Sequence, residues 1–258
     1  MAQRNLQKWH GARNDFLVEV NQPDEAPWWT PERVRAICDR TSGIGADGVI
    51  IATLDTPVAM VLYNADGSIA EMSGNGIRCL AGAVRRSTNA SWTSLEVQTG
   101  AGLRTVTLTA SEGLTKGSAS VAMGHVTLGE VLAGTLGTAQ VGNPHVVVAD
   151  DAAWTDAERE VHAEQWATMM GGANVEFVRV IDSQHIVLRV IERGVGWTAA
   201  CGTGSCASVA VLHRLGLVGN NVAVDNPGGT LHVELNSAFD ATLSGPFEYV
   251  DDVEWPTE

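Results

Sequence analysis

Residues 71–81, EMSGNGIRCLA, return in altered form at residues 199–210, AACGTGSCASVA, so that Ser73 and Cys201 stand 128 positions apart. The offset holds elsewhere. Asn14 and Asn143 lie 129 apart, Asp47 and Asn174 127, Asn64 and Glu192 128, and Gly100 and Gly228 128. Five polar or glycine landmarks thus recur in order at half the length of a 258-residue chain. Solenoid repeats are far shorter, so a period of this length means two copies of one whole structural unit. Each copy is of ordinary domain size, and 45% hydrophobic residues suffice for a buried core in both.

The two halves share a coarse pattern. Alternating or continuous β-branched runs, FLVEV, GVIIATL, VAMVLY, LEVQT and LRTVTLTA, read as strands bounded by Gly, Asn and Asp turns. HVVVAD, VEFVRVI, HIVLRVIE, VAVDN and LHVELN repeat the series. Helices are expected at TPERVRAICDRT, with Thr30 as cap and Pro31 in the first turn, and at TDAEREVHAEQWATMM, capped by Thr155. Helical spacing also follows both echoing motifs, the second helix ending at a glycine stop. The expected fold is α+β: two pseudo-symmetric mixed α/β lobes from an internal duplication, with the active site in the cleft between them. Residues 1–122 form the N-terminal lobe and 123–245 the C-terminal lobe, while 246–258, with the strand FEYVDDV, is free to return to the first.

Charge and cysteine content narrow the partners. Sixteen Lys and Arg against 30 Asp and Glu leave a formal charge of −14, which repels phosphate backbones and anionic lipid surfaces. No nucleic acid and no membrane is therefore expected as a partner, and a homodimer is left open. The segment MAQRNLQKWHGARNDF has no apolar run fit for a secretory signal, so the expected location is cytoplasmic. Cys38, Cys79, Cys201 and Cys206 form no C-x-x-C pair, and Cys201 and Cys206 lack the spacing of zinc sites; no metal is expected. Cys38 and Cys79, among apolar neighbours, read as small buried residues.

In both echoes a residue with a reactive hydroxyl or thiol precedes G-x-G and a helix, which sets its side chain beside unpaired N–H groups. Such helix starts favour anions. A carboxylate held between two of them would place its neighbouring carbon between residues 73 and 201, a geometry for taking a proton from one face and returning one to the other. The same helix end is expected to lower the Cys201 thiol pKa. Neither motif is a nucleotide loop: G-K-[ST] is missing, as is a complete G-x-G-x-x-G unit. The two lysines, Lys8 and Lys116, stand outside every motif and offer no pyridoxal phosphate context.

HGARNDF, GIGADGV, YNADGSIAEMSGNGIRCLA, GNPHVVV, GANVEFV and IERGVGWTAACGTGSCA resemble, in order and spacing, the signature segments of the diaminopimelate epimerases. The resemblance implies a cofactor-free enzyme that interconverts the LL and meso forms of 2,6-diaminopimelate, a small amino-acid substrate on the way to lysine and peptidoglycan. By motif, Cys201 matches one catalytic cysteine and Ser73 occupies the position of the other. His145 matches a histidine beside that pair. Gly74, Asn75, Gly202 and Thr203 would donate backbone N–H groups to the reacting carboxylate. Asn14, Asn64, Asn143, Asn174, Glu192 and Arg193 match residues that hold the substrate.

Three departures stand against the family pattern: Ser73 for cysteine, Trp197 for the Glu of GVGET, which brings a large ring close to the second motif, and Arg13 for a glycine, which adds a charge near Asn14. A hydroxyl ionises far less readily than a thiol and makes a poor base. Two alternatives follow, a racemase or epimerase of the same fold for another amino acid, and a catalytically impaired Cys-to-Ser form that binds substrate. Glu192 and Arg193 with four asparagines argue against proline, which has no distal charged end.

Overall fold

The computed structural model describes residues 3–257 and divides into two compact units, 1–121 with 245–258 and 122–244. The first contains β1 (Gln3–Gly11), β2 (Asn14–Asn21), α1 (Pro31–Cys38), β3 (Gly48–Thr53), β4 (Val58–Asn64), β5 (Ile69–Ala70), α2 (Gly74–Thr88), β6 (Ser94–Thr99), β7 (Gly102–Glu112) and most of β8 (Lys116–His125). The second contains β9 (Thr127–Leu128), β10 (Gly137–Gln140), β11 (Pro144–Ala149), α3 (Asp156–Met169), β12 (Asn174–Asp182), β13 (His185–Glu192), β14 (Gly196–Thr198), α4 (Gly202–Arg214), β15 (Asn221–Asn226) and β16 (Gly229–Leu235). The long strand β17 (Asp240–Pro256) begins in the second unit and ends in the first, where it pairs antiparallel with β1 from Gln3↔Pro256 to His10↔Glu248.

Both units have one topology. β2 pairs parallel with β3 across α1, and β11 with β12 across α3. β4 then pairs antiparallel with β3 and parallel with β6 across α2; β13 pairs antiparallel with β12 and parallel with β15 across α4. Registers coincide too: Phe16↔Gly48 and Val18↔Ile50 in the first unit answer His145↔Asn174 and Val147↔Glu176 in the second. On this alignment Gly48, not Asp47, is the counterpart of Asn174.

Local chemistry explains the helices. Thr30 caps α1 by accepting the Arg33 N–H, and Pro31 occupies its first turn. Thr155 and Glu158 close a capping box on α3. α2 ends at Asn89 in the left-handed region, and α4 is closed by Gly216 at φ 70°. α2 is buried along most of its length, and Gly82 lets it press on Trp9 and Phe247, since a Cβ there would lie 2.8 Å from both rings. Leu17, Val34, Ile37 and Val49 centre a core under α1, and Val146, Val148, Val175 and Phe177 one under α3. Among the described residues, no helix is long and apolar enough to cross a membrane.

Candidate active site

Each unit places one reactive side chain at the start of its buried helix. Ser73 is the N-cap of α2, and its Oγ accepts the Gly76 N–H at 3.0 Å. Cys201 is the N-cap of α4, and its Sγ accepts the Gly204 N–H at 3.4 Å. Capping thus holds residues 73 and 201 in equivalent positions, with the N–H groups of Gly74 and Asn75, and of Gly202 and Thr203, in the first turns.

Around Ser73, polar side chains lock one another. Asn75 donates from Nδ2 to Asn14 Oδ1 (3.3 Å) and accepts from the fully buried Arg78 (2.6 Å), which also donates to the carbonyls of Gly74 and Pro246. Asn14 Nδ2 donates to Asp47 (2.7 Å), which Arg40 grips through its other oxygen (2.7 Å). Arg40 also reaches Asp15 (2.6 Å), where Lys8 pairs at 3.2 Å while donating to the Gly45 carbonyl. Burial alone would raise the Asp15 pKa, but Arg40 and Lys8 hold it below the usual carboxylate value. Lys8, outside every motif in the sequence, thus meets Asp15 from the neighbouring strand, a contact that spacing could not reveal. Asn64 lies at the end of β4, exposed, and donates to Ser68 Oγ at 3.0 Å.

Around Cys201, Asn174 approaches Sγ at 4.0 Å through Nδ2 and accepts the Arg193 N–H through Oδ1 at 3.0 Å. Thr203 Oγ1 lies 3.5 Å from the sulfur. Glu192 accepts from Thr198 Oγ1 at 2.5 Å, and its pKa is raised, first by burial and then by Glu176. His145, fully buried, joins Glu176 through Nδ1 (2.7 Å) and Asn143 Oδ1 through Nε2 (3.0 Å). Glu176, equally buried, carries no signal in the sequence beyond a charge inside an apolar run.

Two expectations are corrected. The Cys201 thiol pKa is pushed well up, not down: burial opposes the thiolate first, then the charges of Glu192 and Glu176, and these outweigh the contacts with Thr203 and the Gly204 N–H. Trp197 does not crowd the second motif; its ring packs beside Phe177 and under Arg189 in the core capped by α3, and its Nε1–H donates to Glu160 (2.8 Å). Arg13 is exposed and left-handed, in the turn before Asn14. Arg193 is exposed, its guanidinium 3.5 Å from the Gly172 carbonyl. Among the described residues no group of three or more His, Cys, Asp or Glu is placed to hold a metal ion.

The family model of diaminopimelate epimerase matches residues 6–129 and 137–250. A protein of Synechococcus elongatus named diaminopimelate epimerase is 35% identical over 261 residues, covering 93% of each chain. One of Trichodesmium erythraeum with the same name is 35% identical over 279 residues, covering 96% of this chain and 97% of its own. Among solved structures, a hydroxyproline epimerase of Agrobacterium vitis with bound trans-4-hydroxy-L-proline superposes with a TM-score of 0.75 at 15% identity, over 98% of this chain and 92% of that one. That last likeness concerns the fold alone.

Proposed function

The chain belongs to the diaminopimelate epimerase family, and on that premise we propose that Cys201 and Ser73 are the acid and base of its reaction. The enzyme is an amino-acid isomerase that interconverts LL- and meso-diaminopimelate by moving the α-proton without pyridoxal phosphate. The observation that carries the residue assignment is the equivalence of positions 73 and 201: each side chain caps a buried helix and is held by the N–H three residues on.

The chemistry follows from the two helix starts. First-turn N–H groups of Gly74, Asn75, Gly202 and Thr203 take the reacting carboxylate and stabilise the charge that spreads onto it as the proton leaves. Asn64, Asn174, Glu192 and Arg193 read the distal amino-acid end, Arg193 as a fork for a carboxylate. In the free protein Cys201 keeps its proton, because burial opposes the thiolate and the charges of Glu192 and Glu176 add to that. The substrate's ammonium offsets the charge of Glu192 beside the sulfur, which favours the thiolate on binding. Ser73 Oγ spends a lone pair on the Gly76 N–H and keeps its own proton to give. Two-base inversion requires these groups on opposite faces of the α-carbon, with Ser73 the weaker base. The setting is lysine biosynthesis in the cytoplasm, with a small amino acid as the only partner the reaction needs.

Proton NMR in deuterium oxide with each isomer tests the assignment. The wild type should invert with label entering the α-carbon, Ser73→Cys should do so faster, and Cys201→Ala should do neither while keeping its fold. Normal epimerisation by Cys201→Ala would overturn it. Exchange without inversion in the wild type would remove Ser73 from the pair and leave Cys201 as the only base.

A further inference from the structure

Both helix starts give the reactive side chain one donor in common. The N–H three residues on meets Ser73 Oγ at 3.0 Å in the first unit and Cys201 Sγ at 3.4 Å in the second. It comes with the cap geometry and makes no distinction between the two copies. A hydroxyl does. Thr203, in the first turn of α4, sets its Oγ1 3.5 Å from the Cys201 sulfur. On the half-chain offset its counterpart is Asn75, an amide that meets Arg78 at 2.6 Å and Asn14 at 3.3 Å. Asn174 stands further from the sulfur, at 4.0 Å, and its counterpart Gly48 has no side chain. Helix propensity does not account for threonine here, because a β-branched residue loses side-chain freedom in a helix and ranks well below alanine.

Building on the proposed function, we infer that Thr203 is a catalytic residue whose hydroxyl donates to the Cys201 thiolate and holds it while the sulfur acts as base. The direction of the bond follows from the partners. A thiol and a hydroxyl can each donate, but a thiolate only accepts, so in the reacting state Oγ1–H points at Sγ. Burial opposes that thiolate, and the charges of Glu192 and Glu176 add to the opposition; Thr203 and then the Gly204 N–H act against them. Since the N–H is common to both copies, the hydroxyl is what fits position 201, and not position 73, to carry negative charge. When the thiolate takes the α-proton, the electron pair of the C–H bond stays on the substrate and spreads toward its carboxylate. The Thr203 hydroxyl keeps its own proton throughout.

Thr203→Val keeps the volume and removes the hydroxyl, whereas Thr203→Ser keeps the hydroxyl. The test treats the substrate-free protein with iodoacetamide at pH 8 and reads the tryptic peptide 194–214 by tandem mass spectrometry, which tells Cys201 from Cys206. A hydrogen bond to a charged group is worth about ten- to hundredfold in an equilibrium constant, here that of thiol ionisation. A more basic thiolate is also a better nucleophile, so about half of this on a logarithmic scale reaches the rate. Alkylation of Cys201 should therefore slow about three- to tenfold in Thr203→Val and lie close to wild type in Thr203→Ser. Thr203→Ala, which favours the helix, should also be slower than wild type, so the result does not hang on one variant folding. A structural defect would loosen the site and speed alkylation, and a contact made to substrate alone would leave it unchanged; either result in the two hydroxyl-free variants overturns the inference. A serine variant as slow as the valine variant overturns it too, because the methyl group would then set the rate. kcat/KM for diaminopimelate should fall about tenfold or more in Thr203→Val. Slower alkylation with unchanged kcat/KM would uphold the bond from hydroxyl to thiolate and overturn instead the assignment of Cys201 as base, which keeps the two failures apart.

Discussion

Arg13 shows how a single backbone angle sets the worth of a residue. It follows Ala12 in the two-residue turn joining β1 to β2, where Gly11 pairs with Asn14, and both turn residues have positive φ, 52° and 62°. This is the hairpin turn whose twist matches that of the strands, and it favours Asn-Gly because side chains resist the left-handed region. The family pattern has glycine at position 13, so the arginine is a strained substitute with an exposed side chain that, among the described residues, gains no polar partner to offset it. Arg13→Gly should stabilise the protein by about 1 kcal/mol, the left-handed penalty less the extra freedom glycine adds to the unfolded chain. Equilibrium urea unfolding measures this. Activity should stay unchanged, because Asn14 is held by Asp47 and Asn75 and not by the turn. A loss of stability in Arg13→Gly would mean that the arginine side chain makes a contact worth more than the strain.

Among the elements, β14 separates two faces that spacing alone could not tell apart. Thr198 on one side meets Glu192, near Cys201; Trp197 on the other meets Phe177, Arg189 and Glu160 over α3. Trp197→Glu, which restores the family residue, should therefore lower stability by about 1–3 kcal/mol through lost ring contacts and a carboxylate set near Glu160. It should leave kcat and KM within about twofold, since a residue on the α3 face does not touch substrate. A large change in KM with stability intact would return the ring to the site. The same contrast explains what was legible in advance. Strands β2, β3 and β12 announce themselves by apolar runs, and α1 and α3 by Thr30, Pro31 and Thr155, because those signals are local. β1, with its mixed QRNLQKWHG, is a strand only because β2 and β17 flank it on both sides. The half-chain repeat exposed Ser73 and Cys201 as equivalent positions, yet it could not expose Glu176, whose counterpart is an isoleucine, nor the direction of the Cys201 shift, which depends on burial first and then on carboxylates contributed by β13 and β12.

For the whole molecule, buried thiols tie stability to alkaline pH. Burial pushes Cys38 and Cys79 up to about 12, and Cys201 well above its ordinary value. Unfolded thiols ionise near about 8.5. Between that value and the raised folded values, the native state binds more protons than the unfolded one, so unfolding free energy falls as pH rises. The contribution is fully present below about pH 8 and is lost progressively above it. The formal charge of −14 acts in the same direction, because self-repulsion grows as the remaining cationic groups neutralise, but salt screens exposed charge and leaves buried thiols untouched. Urea midpoints measured from pH 7.5 to 10.5 in high salt should therefore still fall, and Cys38→Ala should fall less steeply than wild type because one of the protons that link folding to pH is gone. Equal slopes for the two proteins would mean that Cys38 ionises in the native state as it does in the unfolded chain, and the core under α1 would have to admit water to the sulfur.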